Sequence, residues 1–142
     1  MNQISHPGTG LSAQDERAIH AVLIAYATGI DQRDWSLFRS CFTSDCICEY
    51  GDFGTWHSAT EITAFMKEAH SDLGATLHRI SNIDLRVTGD TVRSRCYVDA
   101  LLCPQNEGGP IHRGIGFYED RLLRTGNGWQ IAHRKFEAVL IE

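Results

Sequence analysis

The chain has 142 residues, 42% of them hydrophobic and 22% charged, with a formal net charge of −5. Those values suit one globular domain with a substantial core. They also argue against two classes. No apolar stretch approaches the roughly 20 residues of a membrane helix, and the cations are scattered arginines with only Lys67 and Lys135, not the basic stripe of a nucleic-acid surface.

Residues 1–10 are polar and lack the apolar segment of a signal peptide. The expectation is a flexible start over 1–10, one domain over 11–142 and a cytoplasmic location. Helix signals come first. Ser12 is a cap, Asp15 sits where a negative charge suits the helix dipole, and Ala18, Val22, Leu23, Ala25 and Tyr26 recur at helical spacing, so a helix is predicted to about Ile30. Trp35, Leu37, Phe38 and Phe42 suggest a second, short helix. Asp45 to Tyr50 alternates as a strand and ends at Gly51-Asp52-Phe53-Gly54. Ser58-Ala-Thr-Glu61 forms a capping box for a third helix with Ile62, Phe65, Met66 and Ala69 on its apolar face, stopped at Gly74.

The period then changes from helical to alternating. Leu77–Val87, Thr91–Cys103, Ile111–Arg124 and Trp129–Ile141 are four predicted strands, joined by Thr88-Gly-Asp90, a glycine-rich loop from Pro104 to Pro110, and Gly126-Asn-Gly128. Helices first and strands last define an α+β fold: N-terminal helices packed on a strongly curved, mostly antiparallel sheet, a cone-shaped α+β barrel with an apolar cavity. His78, Ile80, Asn82 and Asp84 are expected to align on one face. Arg93, Arg95, Tyr97 and Asp99 share one face of the next strand, and Val92, Cys96, Val98 and Leu102 share the other. Val92, Val98 and Leu102 are expected on an apolar outer face, which suggests a homo-oligomer, a dimer or trimer.

Five cysteines, Cys41, Cys46, Cys48, Cys96 and Cys103, without a secretion signal read as free buried thiols. Cys46 and Cys48 alternate along a strand and do not frame a zinc knuckle, so no metal is expected. No phosphate loop, nucleotide fingerprint or serine-nucleophile motif occurs. The pair that stands out is Asp31, at the end of an apolar helix where the dipole disfavours a carboxylate, and His78, opening a strand. A carboxylate that holds an imidazole in one tautomer beside an apolar pocket makes a base that works near neutral pH. His57, His70, His112 and His133 read as surface or rim.

Several short patterns recur in a recognisable order: Tyr26-x-x-x-x-Asp31, Arg33-Asp34-Trp35, Phe42, His78-x-x-x-Asn82, Tyr97-x-Asp99, Gly116-x-Tyr118-x-Asp120 and Gly128-Trp129-x-Ile131-x-x-Arg134. In these the chain, from Asp15 to Ile141, resembles the SnoaL-like branch of the nuclear-transport-factor-2-like superfamily. That branch includes scytalone dehydratases, bile-acid 7α-dehydratases and hexachlorocyclohexane dehydrochlorinases. The resemblance implies an Asp31–His78 catalytic dyad, Tyr26 polarising a substrate oxygen, and Asp99 and Arg134 at the places of an aspartate and an arginine used by the bile-acid enzymes.

Two departures bear on the substrate. No second strand histidine of the scytalone enzymes can be placed, and Tyr26 stands where the dehydrochlorinases have lysine. The implied activity is a cofactor-independent lyase or isomerase, a dehydratase acting next to a carbonyl of a small cyclic or aromatic substrate. Tyr50, Trp56, Tyr97, Tyr118 and Phe136 are the expected substrate-binding residues. The alternative is a non-catalytic ligand-binding or assembly module, similar to the small subunit of ring-hydroxylating dioxygenases.

Overall fold

The computed structural model describes residues 10–142, so all but the last residue of the expected flexible start lies outside the described residues. Helix α1 spans Ala13–Asp31 and is capped by Ser12, whose Oγ accepts from the Asp15 amide at 3.0 Å. Ile19, Leu23, Tyr26 and Ile30, spaced four, three and four apart, form its buried stripe. The helix takes in Asp31, one residue beyond the expected end. It closes in a Schellman turn: the Arg33 amide donates to the Ile30 carbonyl and the Asp34 amide to that of Gly29, with Arg33 in the left-handed region at φ 56°. Glycine usually fills that place. Here the guanidinium of Arg33 donates to the Ile30 and Gly74 carbonyls and to Thr76 Oγ1, and so offsets the backbone strain.

Helix α2 (Trp35–Ser40) starts on Asp34, whose carboxylate accepts from the Leu37 amide. It crosses α1 at Gly29, where an added Cβ would come within 2.8 Å of the Phe38 nitrogen. Strand β1 (Phe42–Glu49) begins three residues earlier than expected. After a 3-10 turn at Gly51–Phe53, a two-residue strand β2 (Thr55–Trp56) pairs with β1; nothing in its sequence announces it. Helix α3 (Ala59–Ala69) uses Ser58 as its cap, while Glu61 reaches the amide of His57, one residue further out than a capping box requires. Gly74 is not the helix stop. The helix ends at Ala69, and Gly74 lies in the following strand, where an added Cβ would meet the Pro104 carbonyl oxygen at 2.5 Å.

Strands β3 (Leu73–Thr88), β4 (Thr91–Pro104), β5 (His112–Thr125) and β6 (Gly128–Ile141) form the antiparallel meander. The six-stranded order is β2-β1-β6-β5-β4-β3, with β1 parallel to β6. The result is an α+β cone, helices packed against a curved sheet. Register shifts interrupt it at five places, between Phe42 and Ile47, Leu73 and Thr76, Ser81 and Asp84, Ile115 and Gly116, and Arg121 and Leu122.

The bulge in β3 corrects one expectation. Asn82 adopts φ 52° and adds a residue, so Asn82 and Asp84 do not continue the face of His78 and Ile80; Leu85 turns inward instead. A second correction concerns β4. Val92 and Val98 are 1% and 2% exposed and Leu102 lines the interior cavity, so these even positions face inward and the charged odd positions face solvent. Among the described residues no helix is long and apolar enough to cross a membrane.

The core holds a buried ion pair. Arg134 donates from Nε and Nη2 to the two carboxylate oxygens of Asp120, both at 2.7 Å, with the side chains 1% and 0% exposed. Tyr26 and Tyr118, edge to face with each other, both turn their rings to the guanidinium, with centres 4.2 and 3.9 Å from its carbon. Taking Asp120 away leaves a buried cation unpaired. Asp120→Ala is therefore expected to cost about 3–5 kcal/mol in urea unfolding, against less than about 1 kcal/mol for Arg86→Ala at the exposed Asp84–Arg86 pair. Equal midpoints for the two variants would overturn this ranking.

Candidate active site

Asp31, at the last turn of α1, faces β3 at the point where His78 enters the sheet. Its Oδ1 is 2.7 Å from His78 Nδ1 and accepts from Thr76 Oγ1 at 2.9 Å, and its Oδ2 accepts from the His78 backbone amide at 2.8 Å. Thr76 shares the inward face of β3 with His78, two residues on, and is held in turn by Arg33. The carboxylate thus meets the histidine twice, by ring and by backbone. A carboxylate only accepts, so the proton sits on Nδ1 and Nε2 is left with its lone pair. The side chains of His78 and Asp31 are 9% and 18% exposed.

Burial pushes the Asp31 carboxyl up, but the ring and backbone hydrogen bonds from His78, with that from Thr76, outweigh it and leave it below the ordinary aspartate value. The sign follows. A lowered folded value stabilises the fold above the unfolded value near 4 and is lost as pH falls through the lower folded value. Between pH 5 and pH 3 the wild type is expected to lose more stability than Asp31→Asn, in urea midpoints taken at each pH. Parallel losses would count against an ionised Asp31 in this network.

His78 opens onto a cavity of about 340 Å³. Across the sheet, its register partners on the inward face are Ala100, Gly114 and Ile141. Two of the three are small, and this is why there is space: a Cβ built on Gly114 meets only Ile141 Cδ1, at 3.8 Å. The remaining wall is largely apolar, with Phe65, Met66, Val98, Leu102 and Phe136. Gly114→Leu is expected to fill this chamber. Binding of 2-methoxynaphthalene, followed by its fluorescence, should weaken at least about tenfold while the urea midpoint holds; unchanged binding would place the ligand elsewhere.

Tyr26, Tyr50 and Tyr118 form a floor facing the same space. The hydroxyls of Tyr26 and Tyr50 are 2.6 Å apart, and the rings of Tyr26 and Tyr118 meet edge to face at 5.4 Å. Burial, above all, pushes the three phenols well above their usual range, so each keeps its proton. Tyr26 and Tyr50 share one O–H hydrogen between them, which leaves a second O–H as a donor.

The structure thus brings together Asp31, His78, Tyr26, Tyr50, Tyr118 and Phe136. It leaves four expected residues outside the chamber. Asp99 and Tyr97 occupy odd positions of β4 and lie on the outer face; Asp99 pairs there with Arg79 at 3.1 Å and Arg113 at 3.7 Å. Arg134 is fully buried behind Tyr26 and Tyr118. Trp56 stacks on Phe65, with ring centres 4.0 Å apart, behind the wall.

Three contributors escaped the sequence reading. Thr76 and Arg33 support Asp31. His70, expected at the surface or rim, is 7% exposed and lines the cavity. The signal for His70 was present: it follows Ile62 and Met66 at intervals of eight and four, on the apolar stripe of α3. Cys46 and Cys48 lie in β1 as free thiols, and among the described residues no group of three or more histidine, cysteine or acidic side chains could hold a metal ion.

A curved sheet closed by helices over a largely apolar chamber defines an α+β cone with an internal cavity. Residues 12–135 match the family model of the SnoaL-like domain, and the chain belongs to that family. The uncharacterised protein Rv2910c of Mycobacterium tuberculosis is 27% identical over 123 residues, covering 84% of this chain and 82% of the relative. A candidate scytalone dehydratase of Novosphingobium aromaticivorans has the same fold, with a TM-score of 0.83 and 19% identity, covering 91% of this chain and 87% of that one. So has a type 2 hexachlorocyclohexane dehydrochlorinase, LinA, with a TM-score of 0.75 and 19% identity over 92% of each chain.

Proposed function

We propose that the protein is a cofactor-free lyase or isomerase, a dehydratase in its principal reading, in which Asp31 and His78 remove a proton next to a carbonyl of a small cyclic or aromatic molecule. The observation that carries this is the 2.7 Å contact between Asp31 Oδ1 and His78 Nδ1 at the wall of an apolar cavity. Nε2 takes the proton from carbon. Asp31 stabilises the imidazolium that forms. The electron pair moves to the carbonyl oxygen, and the spare hydroxyl hydrogen of the Tyr26–Tyr50 pair stabilises that oxyanion. The imidazolium then returns its proton, either to a leaving hydroxyl, which departs as water, or to another carbon, which gives isomerisation.

Support is cumulative. The neighbours in fold include a candidate scytalone dehydratase and a dehydrochlorinase, both named for eliminations. The cavity sits at the small end of the range for ligand sites, about 300–1,000 Å³. The hydrogen bonds to the Thr76 hydroxyl and the His78 amide would also serve a non-catalytic module by tying α1 to β3; the ring contact at the wall of a cavity is what favours the enzymatic reading. Asp99 and Arg134 have no direct part in the proposal. The first is on the outer face, and the second acts through the rings of Tyr26 and Tyr118.

Deuterium exchange tests the proton-transfer step without knowledge of the natural substrate. With 1-tetralone in D2O, the wild type is expected to accelerate exchange of the hydrogens next to the carbonyl. His78→Ala and Asp31→Asn should each reduce the enzymatic rate by about 10²–10⁴-fold. Exchange that continues at the wild-type rate in His78→Ala would remove the histidine as base.

Self-association and a cytoplasmic location belong to the same proposal. Leu77 and Tyr97 are 52% and 50% exposed on the outer face of the sheet, which supports a dimer or trimer. Five free cysteines suit a reducing compartment. Sedimentation at micromolar concentration should show the oligomer; a monomer throughout would refute it.

A further inference from the structure

His70 lines the same cavity, and the proton transfer just described does not use it. Its Nδ1 lies 2.8 Å from the Met66 carbonyl oxygen. A carbonyl accepts and cannot donate, so Nδ1 carries the proton and Nε2 is an acceptor. That Nε2 is buried and has no hydrogen-bond partner, in a residue only 7% exposed. The ring centre is 5.8 Å from that of His78 and 6.2 Å from that of Trp35. Burial above all holds the imidazole below the ordinary histidine value, against the opposing effect of the Met66 carbonyl.

A buried acceptor without a donor is uncommon in a folded interior. Here it stands beside His78, in a cavity whose lining is largely apolar. We propose that His70 is the specificity-determining residue of the cavity: its Nε2 accepts a hydrogen bond from a hydroxyl on the ring that lies against His78. The ligand class is a hydroxylated cyclic or aromatic molecule, an alcohol or a phenol. This hydroxyl is retained through the reaction. Nε2 has no proton to give a leaving group, and accepting from an oxygen raises its electron density and makes it harder to expel. The inference rests on the cavity being the ligand site, as proposed above, but not on the chemistry performed there.

Two probes with one ring system separate the hydroxyl from the rest of the ligand. 2-Naphthol donates a hydrogen bond and 2-methoxynaphthalene does not. By titration calorimetry of the full chain, the wild type is expected to bind 2-naphthol at least about tenfold more tightly, and His70→Phe to bring the two within about threefold by weakening 2-naphthol alone. In ¹⁵N spectra of the wild type, the unprotonated nitrogen of His70 should shift on addition of 2-naphthol and stay in place with 2-methoxynaphthalene.

Equal affinity for the two probes in the wild type, or no binding of either, overturns the proposal. So does a preference that survives His70→Phe, which would mean that Nε2 holds at most a water. Should that variant fail to fold, the ¹⁵N spectra of the wild type decide, and an unmoved His70 signal overturns the proposal. Loss of the tetralone exchange assay would alter neither readout, so failure of the dyad chemistry and failure of His70 are told apart.

Discussion

One carboxylate ties the first helix to the sheet and orients the imidazole at the wall of the cavity. Asp31 binds His78 by ring and by backbone, at 2.7 and 2.8 Å, and Thr76 at 2.9 Å. The backbone bond fixes where β3 lies against α1, and the ring bond fixes which nitrogen faces the cavity. Position and tautomer come from the same residue, so the imidazole is oriented as the proposed base requires. Arg33 completes the arrangement by holding both the end of α1 and Thr76. The unfavourable placing of Asp31 at the negative end of a helix dipole is resolved by these donors.

The remainder of the site is made by the sheet. Ala100 and Gly114, in register with His78, leave volume where larger side chains would fill it. Farther down the cone the inward residues become large, and the phenols of Tyr26, Tyr50 and Tyr118 form the floor. Beneath the floor, Arg134 and Asp120 neutralise each other, and the guanidinium packs against two of the rings. The cation therefore braces the aromatic floor and does not meet the ligand directly. Polarity runs from the Asp31–His78 pair, through neutral hydroxyls, to a buried ion pair.

Periodicity made much of the fold legible. The stripe of α1, the cap at Ser12, the long alternating strands and the glycine turns are local signals, and each corresponds to an element within a few residues. Where the reading failed, the cause was a non-local pairing. The two-residue strand β2 exists only because β1 lies beside it. The bulge at Asn82 adds one residue to β3, and a period-two count cannot anticipate the resulting change of face. Gly74 owes its identity to the approach of Pro104, thirty residues away, and not to a helix end.

The chain alone determined the order of helices and strands, the inward and outward alternation along each uninterrupted strand, and the two residue types needed for a histidine base. These follow from neighbours a few positions apart, where backbone geometry dictates the spacing. Which alternating face was the inner one, however, depended on where the helices came to rest. That choice sent Asp99 and Tyr97 outward, Val92 and Val98 inward, and brought His70 from a helix end to the cavity. Only the tertiary structure could decide this, because both faces of such strands carry polar and apolar groups and curvature alone makes one of them concave.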